Sequence, residues 1–248
     1  MLRDYVFLHG GGQGGWVWED TVRALQAQRP GDVGRILCLD IPGCGAKRAR
    51  DTHALTYGAI VDELSREVRA AGVENALLIG HSQAGTVLPA LLAAAPERFG
   101  RAVYVSCCAP APGQTVSQMM GSSLHGTNSQ EVGWPVDPAA TEVSQRFAAM
   151  FCNDMTAEET ADFLARLGKD AWPAAAQGES GWLYGRTPQI PATYVVCLDD
   201  GILTVPWQRR FAERFGAGAI VEVQAGHQVM NTRPHSLAEI LRFEARRT

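Results

Sequence analysis

Six residues, Gly80-His81-Ser82-Gln83-Ala84-Gly85, hold the first chemistry that this sequence offers. They follow Ala76-Leu77-Leu78-Ile79, an apolar run that reads as a buried strand, and they lead into a second apolar run that reads as a helix. A serine on so sharp a strand-to-helix turn stands clear of the sheet edge. The backbone N–H groups opening the helix then offer a place for an oxyanion. Such a serine becomes a nucleophile only if a histidine can take its proton. Without one, the same pattern is a serine capping an ordinary helix.

Of six histidines, His227 is the best placed. It follows the strand-like Ile220-Val221-Glu222-Val223 in the loop Gln224-Ala225-Gly226-His227, at the sheet edge expected to carry Ser82. His81 is expected to point to the other side of the turn and pack. His9 is expected to prop the glycine-rich loop that it opens. His53 and His125 lie in irregular segments, and His235 starts a helix. A histidine acting as base needs a carboxylate to fix its tautomer. Asp199 and Asp200 follow the strand-like Ala192 to Cys197, again at the carboxyl edge where ligands gather in such sheets. One of the two is expected only to turn the chain.

The stretch Gly10-Gly11-Gly12-Gln13-Gly14-Gly15 has two readings. Gly10, Gly12 and Gly15 satisfy G-x-G-x-x-G between a strand and a helix, with Asp40 where a dinucleotide site puts its ribose ligand. Glycines here also let backbone N–H groups turn inward as half of an oxyanion hole. The second reading is matched by the serine turn further along. Trp16 and Trp18 crowd the place where a pyrophosphate would lie.

The elements that must position these residues alternate. Strands are expected at Tyr5–Leu8, Arg35–Leu39, Ala76–Ile79, Ala102–Val105, Ala192–Cys197 and Ala219–Val223, with amphipathic helices between. From Pro110 to about Ile190 the alternation stops. Two helices are expected there, one through Val143, Phe147 and Phe151, the other opened by the capping box Thr156-Ala157-Glu158-Glu159. The expected fold is α/β, a mostly parallel sheet of about six strands with helices on both faces. Residues 1–109 and 191–248 form the core, and 110–190 a cap. Pro89 falls inside a predicted helix, which the sequence leaves unexplained.

The 248 residues carry a net charge of −4, which offers no electrostatic footprint for nucleic acid or an anionic membrane. No apolar run reaches the ~20 residues of a membrane span, and the first strand leaves no room for a signal peptide. Six cysteines without metal-ligand spacing read as reduced, buried thiols of a cytoplasmic protein. Neither a metal nor a cofactor is expected.

Together, His9-Gly10-Gly11-Gly12, the serine turn, Leu198-Asp199-Asp200 and Gly226-His227 resemble the α/β-hydrolase superfamily. Within it, the chain is similar to the group of plant methyl esterases, hydroxynitrile lyases and bacterial esterases of the pyrethroid-hydrolase type. The Gly-Gly-Trp-x-Trp that ends the first loop and the turn after Asp40 point the same way. The resemblance implies Ser82 as nucleophile, His227 as base and Asp200 as acid. It also implies the backbone N–H groups of Gly11 and Gln83 as oxyanion donors. Ala84, Cys44 and Gln13 depart from the group's usual residues, and none touches the triad. Lyases of the group resemble one another in a threonine where this chain has Gly10 and a lysine where it has Gln228, which disfavours the lyase.

The expected activity is hydrolysis of a small to medium apolar carboxylic ester through an acyl-enzyme. Lyase-like chemistry, a protein of this fold without turnover and a dinucleotide-dependent reductase stay as alternatives. Met119, Leu124, Trp134, Phe147, Phe151 and Trp182, with Gly10 and Gln228, are expected to meet the substrate. A homodimer is left open.

Overall fold

Six apolar runs of four to seven residues become the strands of one sheet in the computed structural model. It describes residues 3–28, 31, 33–182, 184 and 190–247. The strands are β1 (Tyr5–Leu8), β2 (Ile36–Leu39), β3 (Ala76–His81), β4 (Phe99–Val105), β5 (Ala192–Cys197) and β6 (Ala219–Val223). Their order is β2-β1-β3-β4-β5-β6, and every pairing is parallel. The polypeptide therefore leaves every strand at the same edge, and the loops after β1, β3, β5 and β6 meet there.

Period-two alternation splits the core between the two faces. Val6, Leu8 and Leu78 face one cluster, with Ile60 and Leu64 of α2 (Tyr57–Ala70), Leu91 of α3 (Leu88–Ala94) and Phe211 of α8 (Val205–Arg214). Tyr5, Phe7 and Leu77 face the other. There they meet Leu25 of α1 (Glu19–Gln28), Met230 of α9 (Val229–Thr232) and Leu237 and Leu241 of α10 (Pro234–Arg246).

Between β4 and β5 the described residues form four helices where the sequence predicts two: α4 (Val116–Met120), α5 (Val143–Phe151), α6 (Ala157–Arg166) and α7 (Ala174–Gln177). The two unforeseen ones have five and four residues, too few to display a period. α6 has the expected capping box from Thr156 and Glu159, and α4 has another from Thr115 and Gln118. Residues 183 and 185–189 of the expected cap lie outside the described residues.

Pro89 has a simple explanation. After β3 the chain makes a 3₁₀ turn over Ser82–Thr86, and a separate helix begins at Leu88. Pro89 thus lies in the first turn of that helix, where its missing N–H sacrifices no hydrogen bond. All six cysteines are free thiols; five are buried and Cys38 is exposed. No helix among the described residues is long and apolar enough to cross a membrane.

Candidate active site

The turn after β3 is tight because Gly80 has no side chain. A β-carbon there would lie 2.7 Å from both terminal carbons of Leu88. The close approach lets the chain reverse at once, and Ser82 takes a left-handed conformation with φ of 53°. That geometry is unfavourable for a serine and points its side chain away from the sheet. The turn is held from β4, where the Cys108 N–H donates to the Ser82 carbonyl at 3.0 Å. Gln83, second in the 3₁₀ turn, has one of the N–H groups that a helix start leaves without an internal acceptor.

His227 is fully buried in the loop after β6, and its Nδ1 lies 2.7 Å from Oδ2 of Asp200 in the loop after β5. The carboxylate is saturated with donors. The backbone N–H groups of Ile202 and Leu203 each donate to Oδ1 at 2.7 Å, and the Ser106 hydroxyl donates to Oδ2 at 2.5 Å. Ser106 follows directly on β4 and is itself left-handed, with φ of 40°. Asp199 points elsewhere. Its carboxylate accepts from the Gln224 amide at 2.5 Å, on the exposed side.

His81 does more than pack. Burial, and then the neighbouring His227, holds its pKa well below the ordinary histidine value, so it is neutral. Its Nε2–H donates to the His227 carbonyl at 2.9 Å, and the two rings are 4.5 Å apart. The Nε2 of His227 is buried and has no hydrogen-bond partner among the described residues, so its lone pair is open to an incoming hydroxyl.

The glycine-rich loop lies against Ser82. His9 is neutral because burial lowers its pKa. Its Nδ1–H donates to the Gly10 carbonyl at 2.8 Å, while its Nε2 accepts from the Ile41 N–H at 3.1 Å. Trp172 Nε1–H donates to the same carbonyl at 3.1 Å. In a trans peptide, C=O and N–H point in opposite directions. Fixing the Gly10 carbonyl against His9 and Trp172 therefore turns the Gly11 N–H the other way. Asp40, which the dinucleotide reading needs free, is already committed to backbone: Gly15 N–H at 2.6 Å and Ala46 N–H at 2.9 Å.

A cavity of about 370 Å³ opens above Ser82. Met119, Trp134, Phe147 and Phe151 line it as the sequence predicts, together with Met120, Met150, Leu167, Ile202 and Leu203. Among the described residues no charged side chain lines it. The ring of Phe151, part of this lining, lies 5.8 Å from that of His227. Four expected substrate contacts lie outside the lining. Leu124 is 45% exposed and pairs with Trp134 at the surface. Trp182 packs on Tyr57 and Tyr184 and donates to the Gln114 carbonyl. Gln228 is buried at the start of α9, and Gly10 packs against Ser82 itself, where a β-carbon would lie 2.9 Å from the Ser82 Cβ. Ser106 and Gln177, which the sequence reading did not single out, both touch site residues. No local motif marks either one.

The segment between β4 and β5 also grips the two loops that hold Asp200 and His227. Asn153 Nδ2 donates to the Asp199 carbonyl at 2.6 Å, and the Gly226 N–H donates to Asp154 Oδ2 at 2.8 Å. His125 Nε2 lies 3.2 Å from the Gly201 carbonyl.

A parallel sheet with a serine at the turn after β3 and an Asp–His pair at the same edge defines a hydrolase scaffold. Over residues 5–240 the sequence matches the alpha/beta hydrolase family, and the chain belongs to that family. It is 27% identical to "Esterase PIR7B" of Oryza sativa subsp. japonica, over 96% of this chain and 94% of that one. It is 24% identical to "Pyrethroid hydrolase" of Sphingobium wenxiniae, over 97% of this chain and 86% of that one. Among solved structures, an extracellular alpha/beta-hydrolase from a Paenibacillus species superimposes with a TM-score of 0.77. That match has 18% identity and covers 99% of this chain and 100% of the other, a likeness of fold.

Proposed function

We propose that the protein is a carboxylic ester hydrolase working through Ser82, His227 and Asp200. The observation that carries this reading is the buried 2.7 Å contact of His227 Nδ1 with Asp200 Oδ2, beside a left-handed Ser82 at the mouth of an apolar cavity. Nδ1 faces the carboxylate, so the neutral imidazole presents the Nε2 lone pair as base. The Ser82 hydroxyl makes no hydrogen bond to it in this structure. Triads without substrate are commonly looser than those at work.

In the reaction, Ser82 Oγ attacks the ester carbonyl while its proton passes to His227 Nε2. The negative charge moves to the carbonyl oxygen, held by the N–H groups of Gly11 and Gln83. The imidazolium, stabilised by Asp200, protonates the departing alcohol. Water, deprotonated by His227, then cleaves the acyl-serine and restores the enzyme. The apolar cavity suits a small to medium apolar acyl or alcohol group, and the lack of charged lining among the described residues disfavours an ionised one. Gln228 puts no cation beside His227, so cyanide release has no charge partner. The free thiols suit a reducing compartment such as the cytoplasm.

The test is turnover of p-nitrophenyl esters of graded chain length. Ser82→Ala lowers kcat by several orders of magnitude, and a variant near the wild-type rate refutes the assignment. Asp200→Asn is far more damaging than Asp199→Asn; equal losses would mean that the acid is misassigned.

A further inference from the structure

The proposed mechanism uses the backbone of Gln83 and leaves its side chain without a task. That side chain is only 7% exposed and reaches across the loop after β1, where a β-carbon on Gly11 would collide with its Oε1. Its Nε2–H donates to Oε1 of Gln177, the last residue of α7, at 3.2 Å. Both glutamines line the cavity, and among the described residues they and Ser82 are the only lining side chains with a carboxamide or hydroxyl. The surrounding wall is sulfur, aromatic and aliphatic, from Met119, Met150, Phe147 and Leu203 among others.

A carboxamide in such a wall is costly unless both of its edges find partners. Gln177 takes the N–H edge and thereby fixes which way the group faces. The Oε1 edge accepts no hydrogen bond among the described residues, and it lies beside Gly11, whose N–H is one of the proposed oxyanion donors. A substrate carbonyl held by Gly11 and Gln83 brings the neighbouring acyl carbons to this oxygen. An acceptor there rewards a donor on the substrate. A neutral donor suits the site, because among the described residues no carboxylate lines the cavity to balance an ammonium.

Resting on the esterase reading, we infer that Gln83, oriented by Gln177, selects esters whose acyl chain carries a hydroxyl or amide N–H on the first or second carbon beyond the carbonyl. A plain alkyl chain leaves Oε1 buried and unpaired, which is how one polar group discriminates strongly between substrates of equal size.

The experiment follows hydrolysis by pH-stat for ethyl butyrate, ethyl 2-hydroxybutyrate, ethyl 3-hydroxybutyrate, ethyl 3-oxobutyrate and 2-hydroxyethyl butyrate. Each rate is divided by that of alkaline hydrolysis to remove intrinsic reactivity. The readout is the ratio of kcat/KM between hydroxylated and plain acyl ester on the same enzyme, so any overall loss of activity cancels. In the wild type, at least one hydroxyacyl ester is favoured about tenfold or more, and Gln83→Leu brings the ratio to about one. Should Gln83→Leu fail to fold, Gln177→Leu carries the test. It frees the carboxamide to rotate, so the hydroxyacyl preference falls at least threefold and the 3-oxo ester, which offers an acceptor, gains. A hydroxyacyl preference that is absent from the wild type, or unchanged in the variants, overturns the inference while leaving the esterase intact. So does a wild type that favours 3-oxobutyrate, or a glutamine-dependent preference on the alcohol side. Turnover of none of the five, nor of any p-nitrophenyl ester, strikes the esterase reading itself, and this inference with it.

Discussion

Asp200 accepts four hydrogen bonds, and the one from Ser106 is the least expected, since it joins residues 94 apart in the chain. Ser106 donates to the same oxygen that faces His227, so it both anchors the carboxylate and draws charge away from the histidine. Its left-handed backbone holds the hydroxyl in that place. Ser106→Ala leaves more negative charge on Oδ2, which stabilises the protonated imidazole. The acid limb of the pH–rate profile should therefore move to higher pH. The expected fall in kcat/KM, about three- to tenfold, is the share of one charge-assisted hydrogen bond made to a group that acts through another. An unmoved acid limb would make Ser106 merely structural. Ser82, Asp200 and His227 were legible because each sits in a short local pattern at a strand end. A serine just after β4 and a glutamine closing a four-residue helix have no such pattern, and their partners are set by tertiary packing alone.

At the scale of elements, a strap after α6 laces the insertion to the loops after β1 and β2. The Gly168 N–H donates to the Gly12 carbonyl, Ala171 N–H to the Gly43 carbonyl and Trp172 Nε1–H to the Gly10 carbonyl. Asp170 is the anchor. It accepts from Trp16 Nε1–H at 3.0 Å, from the Gly45 N–H at 2.9 Å and from Arg48. Burial pushes its pKa up, but the donation from Arg48, Trp16 and Gly45 outweighs that and holds it below the usual carboxylate range. A carboxylate depressed in the folded state stabilises above its unfolded value of ~3.9, and that contribution is lost as pH falls through the folded value. Asp170→Asn should lower stability at neutral pH by about 1.5–3 kcal/mol in urea unfolding and flatten the acid side of the stability curve. An unchanged acid side would show that the strap is held otherwise. The six strands and the long helices were readable from period and turn residues. The strap, with neither, was not.

Across the whole molecule, the two faces of the sheet are closed by different means. α10 is tied under β4 and β5 by a buried pair, Arg101 with Glu244 at 2.6 Å, to which Thr193 adds a hydroxyl at 2.8 Å. Arg101→Met leaves the buried carboxylate to the Thr193 hydroxyl and the partly exposed Arg247, and about 1.5–3 kcal/mol of global stability should go with it. A melting temperature within a degree of wild type would argue that Glu244 is protonated or hydrated instead. The number of strands and their parallel pairing followed from the alternation of strand and helix. Four of the expected substrate contacts lay off the cavity because composition can name aromatic residues without saying which way a loop will turn them.

Asn153 and Asp154 carry one last implication, for exchange of parts between relatives. The insertion is held to the Asp199 carbonyl and to the Gly226 N–H by that one turn. A graft that brings in a foreign lid to change what the enzyme accepts also replaces the brace under its acid and base. Chimeras built at the ends of β4 and β5 would then trade selectivity against turnover unless the Asn-Asp turn travels with the host rather than the donor.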